Sequence, residues 1–291
     1  MKKLVSTLLL GSLTAFLGLA ACSGEDDAPA APADAGTKRP DAIPYVPPDT
    51  SSPDPDTGPP ATVLTGGESF SIVYSAAGGV IGVDGRPNVA AYFDATGGLK
   101  SYYWSDDENL SRGVASIAGA GSDTIAGWGA WREGPTTGHW YTAKPDGFFT
   151  FGPGNDFHYA VGRKSISAAW PTTMKTYALA GGSAPTVDGI AEPGTLTSAT
   201  ATCDLGVGRT CSFTLSAGGS GGTIALSINN TKINTAGEGV ARVQTNDPKG
   251  SVIAMFAGDA AEEIILVYGG TLEGGTNAGK NLRGAAVLKA P

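Results

Sequence analysis

From about residue 63 onward, apolar and polar positions alternate in short runs, and no stretch keeps the three-to-four spacing of a long amphipathic helix. The runs are rich in β-branched and aromatic side chains and are punctuated by glycine-rich turns, which predicts strands. They read SFSIVY, NVAAYF, LKSYYW, HWYTA, FHYAV, MKTYALA, TLTSATATC, CSFTLSA, TIALSIN, GVARVQT, SVIAMFA, EIILVYGG and LRGAAVLK. In CSFTLSA, Phe213 and Leu215 fall on one side while Ser212, Thr214 and Ser216 fall on the other. Ile224, Leu226 and Ile228 repeat the pattern in TIALSIN. Such strands belong to a sheet with one packed and one wet face. Closely spaced strands joined by glycine-rich turns predict an antiparallel meander, and closing it into a barrel leaves no open edge to template aggregation.

The first 62 residues follow a different pattern. Lys2 and Lys3 precede an apolar run, LVSTLLLGSLTAFLGLA, in the order of a secretory signal. At 17 residues it is short for a membrane-spanning helix, which needs about 20. It ends in Leu19-Ala20-Ala21-Cys22, which resembles the bacterial lipobox; the alternative is an ordinary signal peptide with a cysteine near its end. The lipobox reading implies a signal over residues 1–21 and a lipid-bearing Cys22 that palmitate would label. Each buried methylene of an acyl chain contributes about 0.8 kcal/mol, so two or three chains hold a protein at a bilayer where one does not. The next residue is Ser23 rather than Asp, which resembles lipoproteins sent to the outer membrane, in either leaflet.

Between Ser23 and Thr62 stand ten prolines, eight acidic residues and two basic ones. Such a segment cannot bury enough apolar surface to offset the entropy of ordering. Residues 22–62 are therefore expected to form a disordered tether, reaching on the order of 100 Å when extended. The tether also carries most of the chain's net charge of −8. The remainder shows no basic stripe, so no nucleic-acid partner is expected.

Candidate chemistry is sparse. Cys203 and Cys211 flank seven residues with two glycines, a hairpin with its loop between them. In an exported protein such neighbours are expected to pair, and a metal pair or reactive thiols fit less well because neither histidine is near. His139 and His158 stand alone, without the clustered ligands a zinc site requires. No GxSxG elbow is present. Asp106-Asp107-Glu108 and Glu262-Glu263 read as turns or solvated faces rather than catalytic carboxylates. Gly152-Pro153-Gly154-Asn155-Asp156 reads as a turn, because a phosphate loop also needs a lysine and a following helix. Asn229-Asn230-Thr231 fits a glycosylation sequon with no role in a bacterial lipoprotein. Tyr102, Tyr103, Trp104, Trp128, Trp131, Trp140 and Tyr141 concentrate in the first half of the body. They read as packing residues, or as a stacking platform for a sugar or an anchor for a protein.

Two blocks carry a family resemblance. The first runs from Gly127-Trp128-Gly129 and Trp131 through His158-Tyr159 with Val161-Gly162, to Tyr177, Leu179, Gly181 and Pro185-Thr186. The second contains Phe256, Gly258, Ala261 and Glu263 and closes on LRGAAVLK. Together they resemble the eight-stranded barrel of transferrin-binding protein B lobes and of related factor H-binding and haem-binding surface lipoproteins. The chain departs from that pattern in its final strand, which lacks an aromatic and a basic pair, and in its hairpin cysteines. The resemblance implies an all-β fold with an eight-stranded antiparallel up-and-down barrel over residues 122–291, behind a smaller β-rich region over 63–121. It also makes His158 a weak candidate haem ligand. The function expected is non-catalytic binding of an extracellular or periplasmic protein or small ligand by an outer-membrane lipoprotein, with no cofactor. The alternatives are a structural coat component and, further off, a haem carrier or an envelope hydrolase.

Overall fold

The computed structural model describes residues 64–291, apart from 77–83, 106–107, 141–149, 152–153, 220, 236–240 and 248–249. The expected signal, Cys22 and the tether lie outside the described residues. In chain order the first strands are β1 (Gly67–Ala76), β2 (Asp84–Phe93), β3 (Leu99–Ser105), β4 (Glu108–Ser111) and β5 (Ser116–Ser122). They are followed by β6 (Ala126–Arg132), β7 (Gly134–Pro135), β8 (Thr137–Trp140), β9 (Thr150–Phe151) and β10 (Phe157–Arg163). Eight of these form one antiparallel sheet in the order β5-β6-β10-β1-β2-β3-β4-β8, while β7 and β9 make a separate ribbon.

A 3-10 turn at Ser167–Ala169 leads to the second sheet. Its strands are β11 (Met174–Gly182), β12 (Thr186–Val187), β13 (Thr195–Asp204), β14 (Thr210–Gly219) and β15 (Gly222–Lys232). Then come β16 (Asn234–Thr235), β17 (Ala241–Asp247), β18 (Gly250–Ala257), β19 (Glu263–Thr271) and β20 (Asn281–Lys289). The order β15-β14-β13-β11-β20-β19-β18-β17-β16 is a meander whose first and last long strands, β11 and β20, pair with each other. Because β16 resumes just after β15 ends, its pairing with β17 nearly closes the barrel. Among the described residues no helix is long and apolar enough to cross a membrane.

The expected boundary near Ser122 falls inside the first sheet. Strands β6 and β10, the GWGAW and FHYAV runs assigned above to the barrel, pair with each other, and β10 pairs with β1. The nearly closed sheet begins only at Met174. Local sequence could not place this boundary, because strand partners are chosen by tertiary packing and not by the strands' own pattern.

Three apolar clusters hold the layers. One fills the barrel interior and includes Tyr177, Phe213, Leu226, Phe256 and Leu266. A second lies on one face of the first sheet, where Tyr74, Leu99, Trp131, Phe157 and Tyr159 meet. The sheet curls over this cluster: Trp131 Nε1 donates to the Leu99 carbonyl at 2.7 Å, and the Leu99 N–H donates to the Tyr159 hydroxyl at 2.9 Å. The third cluster joins the sheets, with Val73 and Ala160 from the first against Ile253, Ile265, Val267 and Val287 from the second. That junction explains two sequence patterns at once. Strands β13 to β15 alternate because their outer face is wet, whereas SVIAMFA and EIILVYGG are continuous because both faces of β18 and β19 are covered. Trp128, at the same junction, lies against the backbones of Gly121 and Gly181, where any β-carbon would collide with its ring.

Candidate functional site

Three neighbouring strands of the first sheet carry extra residues, and three of these irregularities coincide. Between the pairs Gly67↔Ala91 and Phe70↔Val89 the extra residue is on β1; between Phe70↔Val89 and Ser71↔Pro87 it is Asn88 on β2. Between Tyr103↔Asn109 and Ser105↔Glu108 it is Trp104 on β3. Bulges re-aim side chains and cluster beside functional sites. Ser69 and Asn88 adopt φ of 75° and 56°. That region costs a side chain about 1–2 kcal/mol, less for the short amide of asparagine. The Lys164 N–H holds the β1 bulge by donating to the Ser69 carbonyl at 2.8 Å. Ser69, Asn88 and Trp104 line a single open cleft of about 270 Å³, completed by Val89, Ala90 and Tyr103.

Trp104 is the aromatic plate of this cleft and is 41% exposed. The Arg86 guanidinium carbon sits over its ring, 4.9 Å from the centroid. Arg86 is nearly buried and donates from Nε to Glu108 Oε2 at 2.8 Å. The Glu108 Oε1 accepts from the Tyr74 hydroxyl at 3.1 Å and, more weakly, from Tyr102 at 3.5 Å. Burial pushes the Tyr102 phenol well above its ordinary range, with nearby Tyr74 and Glu108 adding to the shift, so it remains a donor at neutral pH. The plate therefore rests on a buried ionic and phenolic network rather than on a mobile loop. Such an arrangement can hold a ligand against one ring face; none of its groups is set up as a nucleophile with an adjacent base.

The residues singled out from sequence scatter over the molecule. Asp106 and Asp107 lie outside the described residues, but Glu108 is fully buried, so the expectation of a turn or solvated face fails for it. It fails again at Glu263, also fully buried at the start of β19. Glu263 meets Lys289 Nζ at 2.9 Å, and Lys289 also reaches Asp123 at 2.7 Å, which ties the two sheets together. Burial first, and then the neighbouring Asp123 carboxylate, push the Glu263 carboxyl up to about 7. Glu262 accepts the Ala260 N–H.

His158 is fully buried, with Nδ1 2.9 Å from the Ser183 hydroxyl and Nε2 2.7 Å from the Thr186 hydroxyl. Both ring nitrogens are thus engaged across the sheet junction, which leaves neither for a haem iron and corrects the weak ligand expectation. Burial, with Arg132 and Arg283 nearby, pushes its pKa down to about 3. The serine–histidine contact is sealed, since Ser183 is buried too.

Cys203 and Cys211 form a disulfide across the paired ends of β13 and β14. The side chains of His139 and Trp140, and all of Tyr141, lie outside the described residues. Tyr102 and Trp131 are core residues, Trp128 is half-buried at the junction, and Tyr103 and Trp104 face the cleft. In the glycine-proline turn, residues 152–153 are outside the described set, while Asp156 is buried against Arg132 at 2.7 Å. Asn229 and Asn230 are exposed at the far end of β15. Ser69, Asn88 and Arg86 escaped the sequence reading. Nothing in SFSIVY or NVAAYF marks an extra residue, because a bulge is defined by the partner strand.

No protein-family model matches the chain, and no curated protein matches it. Solved structures similar to it include a single-substitution mutant of transferrin-binding protein B from Haemophilus parasuis Hp5, at 12% identity and a TM-score of 0.34, covering 76% of this chain and 45% of that one. A double mutant of transferrin-binding protein B from the same organism gives 8% identity and a TM-score of 0.31 over 72% of this chain and 46% of that one. Intact Ap-TbpB, with N and C lobes, gives 11% identity and a TM-score of 0.30 over 76% and 46%. The chain spans under half the length of each of these proteins.

Proposed function

We propose that this chain is an outer-membrane lipoprotein whose β body is a non-catalytic binding module, with the Trp104 cleft as its binding site. The observation that carries the reading is the convergence of three strand bulges, two of them with unfavourable backbone angles, on one aromatic-floored cleft. Strain of that kind persists only where the surroundings over-determine it, and it clusters at ligand sites. The lipobox-like Leu19-Ala20-Ala21-Cys22 and the proline-rich segment support an anchor and spacer that would present the body to ligands at the envelope. The test is retention from envelope extracts and culture medium by the full chain in detergent, beside the Trp104→Ala chain. A component retained by the first and lost by the second is expected. If the two chains retain the same components, the cleft is not the binding site; if neither retains anything, the binding reading is wrong.

A further inference from the structure

The lining of the cleft narrows the class of ligand. Among Ser69, Asn88, Val89, Ala90, Tyr103 and Trp104 no side chain is charged. The Arg86 guanidinium, over the indole ring, is engaged by Glu108. Among the described lining residues, phosphorylated or carboxylated ligands therefore find no counter-charge of the kind such groups require. The cleft is also open, so it cannot enclose most of an apolar small molecule. Strands β1, β2 and β3 are interior to the sheet order, so no strand edge is available for an extended peptide to join.

A folded protein partner would need a wide apolar patch around its anchor. Among the described residues, the other large exposed apolar side chains, Val114, Ile166, Met174 and Val207, lie outside the cleft. What remains is a partly exposed indole beside an amide and a hydroxyl, each of the latter able both to donate and to accept. A sugar ring has the complementary surface. Its axial C–H bonds, slightly positive, stack on the negative face of an aromatic ring, while its rim of hydroxyls both donates and accepts.

Resting on the binding reading above, we propose that the cleft seats a neutral saccharide ring on Trp104, with Asn88 and Ser69 bonding its hydroxyls. The saccharide comes either from solution or from a glycolipid headgroup. The ring is held in place by the Arg86–Glu108 network, so the plate is pre-formed and little ordering opposes binding.

The full chain in detergent would be titrated with maltohexaose, cellohexaose and chitohexaose, and separately with phosphatidylethanolamine vesicles with and without lipopolysaccharide. Tryptophan fluorescence and saturation-transfer NMR report the contact. Binding of at least one probe is expected, weakened about tenfold or more by Trp104→Ala, as loss of one stacking partner should do. Trp104→Phe retains most of the affinity, and Asn88→Ala loses several-fold of it; thermal melting confirms that each variant is folded. Binding to the free oligosaccharides assigns the solution source, and binding only to lipopolysaccharide vesicles the glycolipid source. Absence of all binding, or binding indifferent to Trp104→Ala, overturns the saccharide assignment. In that case a protein retained from envelope extract through Trp104 keeps the cleft as a protein-binding site, and retention of nothing removes both readings.

Discussion

Replacing Glu108 with alanine removes the carboxylate that accepts from Arg86 Nε and from the Tyr74 and Tyr102 hydroxyls. The side chains of the ion pair are 8% and 0% exposed, so water cannot substitute for the missing carboxylate. Removing one partner of such a buried pair costs about 3–5 kcal/mol, because the remaining buried charge loses the carboxylate that balances it. For a body of this size each kcal/mol lowers Tm by about 2–4 °C, so Glu108→Ala should melt roughly 6–20 °C lower. Circular dichroism of the strand signal, checked by urea titration, gives the number. Arg86→Met combined with Glu108→Leu removes both charges at similar volume and should recover part of that loss, the Tyr74 and Tyr102 hydroxyls still losing this acceptor. The single variant should also loosen Trp104, over whose ring Arg86 packs, and so broaden its NMR indole resonance. A loss below about 1 kcal/mol, the value of a solvated surface pair, would refute the claim that this carboxylate is buried and that the cleft rests on it.

Two buried groups should give stability opposite pH slopes. Glu263, raised from its ordinary 4.5 to about 7, contributes stability that is present below pH 4.5 and lost as pH rises through about 7. His158, lowered from 6.5 to about 3, contributes stability that is present above pH 6.5 and lost as pH falls toward 3. Burial works against ionised Asp123, yet hydrogen bonds from Glu263, Lys289 and the Ala126 and Ile125 amides hold it well below its ordinary range, so it is constant over this window. Between pH 4.5 and 6.5 the two slopes largely offset, so in urea titrations Glu263→Gln should lose stability toward acid and His158→Asn should lose it toward higher pH; slopes unchanged from the native chain would contradict the burial of both. Replacing Cys203 and Cys211 by serine should cost about 2–3 kcal/mol, the loop being short. Unreduced peptide mass spectrometry of the native chain should show the two cysteine peptides linked. Cys22→Ser should abolish palmitate labelling and move the chain from the membrane to the soluble fraction; a labelled or still membrane-bound variant would place the anchor elsewhere.

The all-β class and the strand positions were legible because side-chain period along a strand is local: Phe213, Leu215, Ile224, Leu226 and Ile228 announce their packed face without reference to anything else. The disulfide was legible for a similar reason, since a short hairpin places Cys203 opposite Cys211 whatever surrounds it. Partnership between distant segments was not. Strands β6 and β10 have no local mark that sends them to the first sheet rather than the barrel. Glu108 and Glu263 look like surface carboxylates until Arg86 and Lys289 are brought to them from elsewhere in the chain. The cleft is the clearest case: Ser69, Asn88 and Trp104 become extra residues only when three strands are laid side by side, because a bulge is a mismatch in count between neighbours. Period along one strand belongs to the sequence; register, burial of charge and the shape of the site belong to the assembled sheets.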